Sequence, residues 1–118
     1  DAEFDLMVGS GGVLGQALAA GGTGGVLALA NIAPEATTAI HEAYAAGDHD
    51  RARELTAACV DLNHAITAEH GIPGLKYAMR QRGAPAGHAR SPHRSIDDAA
   101  TAALDARLDE FEALRGDL

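Results

Sequence analysis

A glycine-rich turn, Gly9-Ser10-Gly11-Gly12, is the part of this sequence best suited to contact a ligand. It lies between an apolar run and a helical pattern, so its backbone N–H groups could face an anion at a helix N-terminus. A dinucleotide-binding fingerprint would place its third glycine at the sixth position, which is Leu14, and Gly15 comes one residue late. Glycine also permits tight turns and close packing. A small α/β nucleotide- or phosphate-binding module that uses Gly9–Gly12 is therefore kept as the alternative function.

Six histidines are the residues most able to bind a metal: His41, His49, His64, His70, His88 and His93. A zinc site needs three or four converging nitrogen, sulfur or oxygen ligands. His88 and His93 share a loop that has no cysteine, and the six-residue spacing of His64 and His70 puts them on different helical faces. We therefore predict no metal site, and imidazoles that face solvent or bond locally.

Other reactive side chains do not form a catalytic set. Lys76 is the only lysine and could in principle form a Schiff base, but it lies early in a predicted helix, far from the strand ends. We predict a structural or surface role for it. Arg90 and Arg94 could bind an anion, although pairing with the abundant acids is expected. Cys59 is predicted to be a small buried hydrophobe. The chain alone is not expected to hold a complete active site.

Two apolar runs must position the glycine turn. Residues 4–8 and 25–30 are apolar at nearly every position, which is typical of strands buried on both faces of a parallel sheet. The helical pattern of residues 13–20 lies between them, so the three segments predict a β-α-β unit. Two strands cannot bury both of their own faces. The chain is therefore interpreted as part of a larger α/β structure, either the tail of a longer polypeptide or one piece of a nicked one.

Four more helices are predicted after the second strand. They cover about residues 34–46, 49–70, 73–83 and 96–115, and the first two end at glycines. Asp48 is a plausible N-cap. The second of these helices carries an apolar face of Leu55, Cys59, Leu62 and Ile66. Ser95 and Asp98 resemble a capping box for the last helix.

Charge and hydropathy exclude several classes of partner. The 118 residues include nine Lys and Arg against seventeen Asp and Glu, a net charge of −8. This balance argues against nucleic acid and against an anionic membrane surface, because both attract basic proteins. No apolar run approaches the roughly 18 residues of a membrane span.

The order of five motifs resembles the C-terminal part of the dihydrodipicolinate synthase / N-acetylneuraminate lyase family. The motifs are GSGG, GGTGGVLALANIAP, GDHDRA, GIPGLKYAM and the G-x-x-x-G-x-x-R-S-P of residues 83–92. Within this family, GSGG, the ALAN run and GIPGLK look most like the 4-hydroxy-2-oxoglutarate aldolase branch. Each motif is weak by itself, and their shared order is what makes the resemblance specific.

The resemblance implies the fold and the chemistry. Residues 1–47 would be strands seven and eight of a (β/α)8 TIM barrel with their helices, and residues 48–118 a C-terminal helical extension. The parent would be a cytoplasmic, homotetrameric class I lyase or aldolase that forms a Schiff base with pyruvate or another 2-oxo acid. Its substrate type would be 4-hydroxy-2-oxoglutarate, a 2-keto-3-deoxy sugar acid or that of dihydrodipicolinate synthase. The catalytic lysine and tyrosine would precede residue 1, and no cofactor or metal is implied.

The resemblance also implies a substrate-binding set of Gly9, Ser10, Gly11, Val26 and Ala28. Gly9 matches the glycine beside the bound keto acid, and Val26 matches a residue whose backbone faces the pyruvate unit. Ser10 could offer its hydroxyl to the substrate or simply fill the turn.

Three of the matched positions lack the side chains that other branches carry. Gly11, Gly12 and Ala28 match positions where sialic acid lyases have two acids and a serine. Their absence counts against a sialic acid substrate and, less decisively, against the dihydrodipicolinate synthase branch.

Overall fold

Two short parallel strands begin the fold in the computed structural model, which describes residues 3–117. Strand β1 (Met7–Val8) pairs with β2 (Gly24–Gly25), so that Met7 lies opposite Gly24 and Val8 opposite Gly25. The helices are α1 (Leu14–Ala19), α2 (Pro34–Ala45), α3 (His49–His64), α4 (Gly71–Gln81) and α5 (Asp98–Asp117). Single 3₁₀ turns, Gly11–Val13 and Ala28–Asn31, precede α1 and α2, and a π turn, Ala65–Glu69, extends α3.

The predicted strands are too long. Residues 4–6 lie outside β1, and the second run leaves the extended conformation at Ala28–Asn31. The cause is a 3₁₀ turn in which Leu29 O accepts from the N–H groups of Ile32 and Ala33, at 3.0 and 2.8 Å. This turn places Leu29 and Ile32 in the core, with 0% and 1% of their surface exposed.

The strands of the described chain are not buried on both faces. The side chains of Phe4, Leu6, Met7 and Val26 are 73%, 53%, 50% and 75% exposed. Only two strands are paired in the described residues, so no third strand covers these apolar groups. This exposure agrees with the expectation that two strands cannot bury both of their own faces, and their burial within a larger sheet stays a prediction.

The helix boundaries follow the signals in the sequence. Helix α2 ends before Gly47, whose φ of +82° is accessible to glycine at little cost. Asp48 caps α3 as predicted, because its Oδ1 accepts from the Arg51 N–H at 3.0 Å. The predicted capping box of α5 is wrong. Asp97 Oδ1 accepts from the Ala100 N–H at 2.8 Å and so caps α5 itself, while Ser95 is exposed.

One hydrophobic core joins the strand region to all five helices. Its most buried large members are Leu29, Ile32, Ile40, Ile66 and Leu104. Leu14 and Leu18 of α1 belong to the same cluster as Leu108 and Phe111 of α5. The predicted apolar face of α3 is confirmed, since Leu55, Cys59, Leu62 and Ile66 are all buried. The late helices therefore form the back of the same core that supports β1 and β2.

A cluster of charged side chains joins α5 to the start of α2 and the end of α4. Glu35 at the start of α2 contacts Arg82 and Arg115, and both arginines contact Glu112. Partial burial alone would raise the pKa of Glu35, but hydrogen bonds from its own backbone and from Arg82, with the charge of both arginines, lower it. The cluster is partly exposed, so its stabilising contribution is small and salt-dependent.

Cys59 is expected to resist alkylation until the protein unfolds. It lies on the buried face of α3, fully inside the hydrophobic core, and this burial raises the pKa of its thiol to about 11. Iodoacetamide at pH 8 should label it only in denaturant, as mass spectrometry would show. Because the pKa of the folded thiol is raised, its protonated form contributes fully to the free energy of unfolding below the pKa of the unfolded thiol. This contribution is lost as the pH rises towards 11. Rapid labelling of the native protein would contradict this placement.

None of the helices in residues 3–117 has the length and apolarity needed to cross a membrane.

Candidate functional site

The glycine turn and the end of the second strand meet at one edge of the fold. Val26 N donates to Val8 O at 2.9 Å, which continues the parallel ladder beyond the paired residues. Gly9 and Ser10 follow β1 directly, and Val26 follows β2, so both strands present their carboxyl ends at this edge. In α/β proteins the loops at such ends are where ligands bind.

Gly9 and Gly11 have different surroundings in the same turn. A Cβ on Gly9 would meet no atom within 4 Å. A Cβ on Gly11 would lie 2.7 Å from Leu29 Cδ2 and 2.9 Å from Leu29 Cβ. Gly11 is buried, so its lack of a side chain allows the turn to pack on the 3₁₀ turn that contains Ala28. Gly9 leaves open space at the strand end.

Asn63 of α3 contacts the glycine turn through its side chain, a contact that the sequence analysis did not predict. Its side chain is buried, and Nδ2 donates to Ser10 Oγ at 3.4 Å. Its Oδ1 is buried without a hydrogen-bond partner among the described residues. The available signal was an amide on the apolar face of α3, four residues after Cys59. The contact holds the Ser10 side chain at the turn, and a hydroxyl has one donor and two acceptor sites to share among its partners.

The histidines do not converge. His41, His49, His64, His88 and His93 are exposed and His70 is half-buried. Across residues 3–117, no group of three or more His, Cys, Asp or Glu residues could hold a metal ion.

Lys76 and the loop arginines lie away from the strand ends. Lys76 Nζ donates to Ala86 O at 2.8 Å, which ties α4 to the following loop. Arg90 and Arg94 are exposed, and neither forms an ion pair within the described chain, contrary to the expected pairing with acids.

Nothing in the geometry favours a nucleotide at the glycine turn. Helix α1 has only six residues, and a 3₁₀ turn separates it from Ser10. A helix of fewer than two turns has a small dipole at its N-terminus. Gly11 is also buried, so its backbone does not face open space at the turn.

Two parallel strands joined through a helix, with loops gathered at their carboxyl ends, define an α/β protein of the βαβ type. The chain belongs to the dihydrodipicolinate synthetase family, whose model matches residues 1–111. Solved structures with this fold are dihydrodipicolinate synthase-type TIM barrels. The described chain, mostly helical with two parallel strands, is consistent with part of such a barrel.

Individual relatives agree with this assignment. An uncharacterised DapA-like lyase of Halobacterium salinarum is 38% identical over 112 residues, which cover 95% of this chain and 37% of the relative. A 4-hydroxy-tetrahydrodipicolinate synthase of Rhizobium meliloti is 40% identical over 89 residues, 75% of this chain and 30% of that protein. The chain thus spans 37% and 30% of the length of these two relatives.

Two solved structures extend the comparison to the fold. A candidate dihydrodipicolinate synthase from Thermus thermophilus superposes with a TM-score of 0.82 and 33% identity, over 98% of this chain and 39% of that chain. The N-acetylneuraminate lyase of Proteus mirabilis has a TM-score of 0.75 at 22% identity, over 94% and 37% of the two chains, and shows the fold alone.

Proposed function

We propose that this chain is part of a pyruvate-dependent Schiff-base aldolase or lyase, which we call the parent protein. The observation that carries the proposal is the meeting of Gly9–Ser10 and Val26 at the carboxyl ends of two parallel strands. Family membership supports the same chemistry. In this proposal residues 1–47 are the last two β/α units of the barrel, and residues 48–118 are a helical extension that supports them.

The chain contributes a wall of the substrate pocket. Gly9 leaves room beside the reacting carbons, and Val26 and Ala28 present backbone and small apolar groups. Ser10 offers its hydroxyl to a substrate oxygen, and the contact with Asn63 holds its side chain at the turn. Gly11 belongs to the same wall, and its lack of a side chain also lets the turn pack on the core, since a side chain there would collide with Leu29.

A short 2-oxo acid is the proposed substrate class, with 4-hydroxy-2-oxoglutarate as the first choice. Gly11, Gly12 and Ala28 offer no polar side chain to the hydroxyls of a long sugar acid. A site without such partners leaves extra hydroxyls desolvated and unpaired, which costs binding free energy. A 2-keto-3-deoxy sugar acid and the dihydrodipicolinate synthase substrates are the other members of the class.

The catalytic lysine and tyrosine belong to the rest of the parent protein in this proposal. A lysine amine would condense with the 2-oxo group and release water, and the resulting imine would accept the electron pair of the carbon–carbon bond that breaks. The parent is proposed to be cytoplasmic and homotetrameric, by analogy with the family.

Borohydride reduction in the presence of pyruvate tests this function. The parent protein should gain the mass of a reduced pyruvate adduct on one lysine and lose activity, because reduction fixes the imine. Peptide mass spectrometry should place the adduct outside residues 1–118. The isolated chain, treated in parallel, should gain no adduct on Lys76. A parent protein that shows no adduct at saturating pyruvate would contradict the proposal.

A further inference from the structure

A small cavity lies far along the chain from the strand ends, between α4, the loop after it and the start of α5. It has a volume of about 130 Å³, room for about four water molecules. Lys76 and Arg80 line it from successive turns of α4, His88 lines it from the loop, and Ser95 closes the side next to α5. Pro73, Ala89 and Ile96 give it an apolar floor.

The cations of this cavity keep most of their hydrogen-bond donors unused. Lys76 donates to Ala86 O and Arg80 donates to Gly87 O, so each has a neutral carbonyl as its partner. An ammonium has three donors and a guanidinium five. Neither side chain has an ion-pair partner among residues 3–117, although both are half-buried.

The charge pattern of the sequence points to the same place. Residues 70–96 contain no Asp or Glu, yet they hold five of the nine Lys and Arg residues and three of the six histidines. The whole chain has a net charge of −8. Of these five cations, Arg82 alone is paired within residues 3–117, with Glu35 and Glu112. Tyr77 also lines the cavity, and its hydroxyl donates to the carboxylate of Asp105, with distances of 2.8 and 3.0 Å to the two oxygens.

We propose that this cavity is an accessory binding site for a small oxyanion, a phosphate or a carboxylate group. Lys76 and Arg80 supply charge-assisted hydrogen bonds, and Ser95 supplies a hydroxyl. Hydrogen bonds from charged donors to an anion are about twice as strong as those between neutral groups. The loop carbonyls bonded to Lys76 and Arg80 hold both cations in place before the anion arrives, which lowers the entropy cost of binding. The site is independent of the proposed aldolase chemistry.

Calorimetric titration of the parent protein at low ionic strength tests the site. Inorganic phosphate and succinate are the two probes, and their comparison separates a phosphate from a carboxylate ligand. At least one should bind with millimolar or tighter affinity. Arg80→Gln should weaken that binding about tenfold, because one charged partner is lost. Arg107→Gln, at an exposed position of α5, changes the net charge equally and should leave binding within about twofold.

Two further variants test whether weaker binding of Arg80→Gln comes only from a loop that has lost its hydrogen bond to Arg80. Ser95→Ala and His88→Ala leave the two carbonyl anchors intact, and each should weaken binding about two- to fivefold without changing the melting temperature. The proposal is overturned if neither probe binds at about 10 mM. It is equally overturned if Arg80→Gln and Arg107→Gln weaken binding to the same extent, since that would indicate a diffuse charge effect.

Discussion

Replacing Gly11 with alanine should destabilise the parent protein by about 1–3 kcal/mol, the usual cost of overpacking a core. The new methyl group would lie 2.7 Å from Leu29 Cδ2, 2.9 Å from Leu29 Cβ and 3.1 Å from Asn63 Oδ1. Leu29 has 0% of its surface exposed, so it cannot move aside. The 3₁₀ turn and the glycine turn must separate, and urea denaturation would measure the resulting loss in the free energy of unfolding.

Gly9→Ala is the matched control, because it makes the same change two residues away. Its methyl group would meet nothing within 4 Å in this chain, so the free energy of unfolding should change by no more than about 0.5 kcal/mol. The methyl would nevertheless enter the proposed pocket and lower kcat/KM about tenfold or more, because small displacements of a reacting substrate are costly. Full activity of Gly9→Ala would remove Gly9 from the pocket wall. Equal destabilisation by both variants would contradict the packing described for Gly11.

Leu104→Ala in α5 should destabilise the parent protein by about 2–5 kcal/mol, as large-to-small changes in cores do. Leu104 has 0% of its surface exposed and belongs to the core cluster that also contains Leu29. Its loss leaves a cavity between α5 and α4. In the native chain Leu104 Cδ1 lies 3.4 Å from the point where a Cβ on Gly74 would be. Since this core supports both strands, pyruvate trapping should also become less efficient at temperatures close to the lowered melting point.

Leu114→Ala provides the comparison on the same helix. Leu114 is 49% exposed, so its truncation removes little buried surface and should cost less than about 1 kcal/mol. Chemical denaturation of both variants gives the difference directly. Similar costs at the two positions would mean that α5 is not docked on the core as described.

Most helix boundaries could be predicted because their causes are local. Gly47 and Gly83 adopt positive φ after a helix, and Asp48 bonds to a backbone N–H three residues ahead. The apolar spacing of α3 likewise depends only on helical periodicity. Even local signals can compete, as at α5, where Asp97 rather than Ser95 provides the cap.

The strand ends and the site could be predicted only in part. An apolar run such as residues 25–30 suits either a buried strand or a turn that buries Leu29, and long-range packing selects the turn. The contact between Asn63 and Ser10 joins residues 53 positions apart, which no local pattern encodes. The substrate-binding roles of Gly9, Ser10, Gly11, Val26 and Ala28 stay predictions that the experiments above would test.

The cluster of Glu35 and Arg115 has a consequence for biosynthesis. These partners are 80 residues apart, and α5 leaves the ribosome after the other four described helices. At about 5–20 residues per second, roughly 4–16 s pass between the emergence of the two partners. During this interval the core that supports β1 and β2 lacks Leu104, Leu108 and Phe111 of α5. Nascent chains should therefore engage a chaperone at this stage, and ribosome-bound intermediates stalled before α5 should be more sensitive to protease than intermediates that include α5.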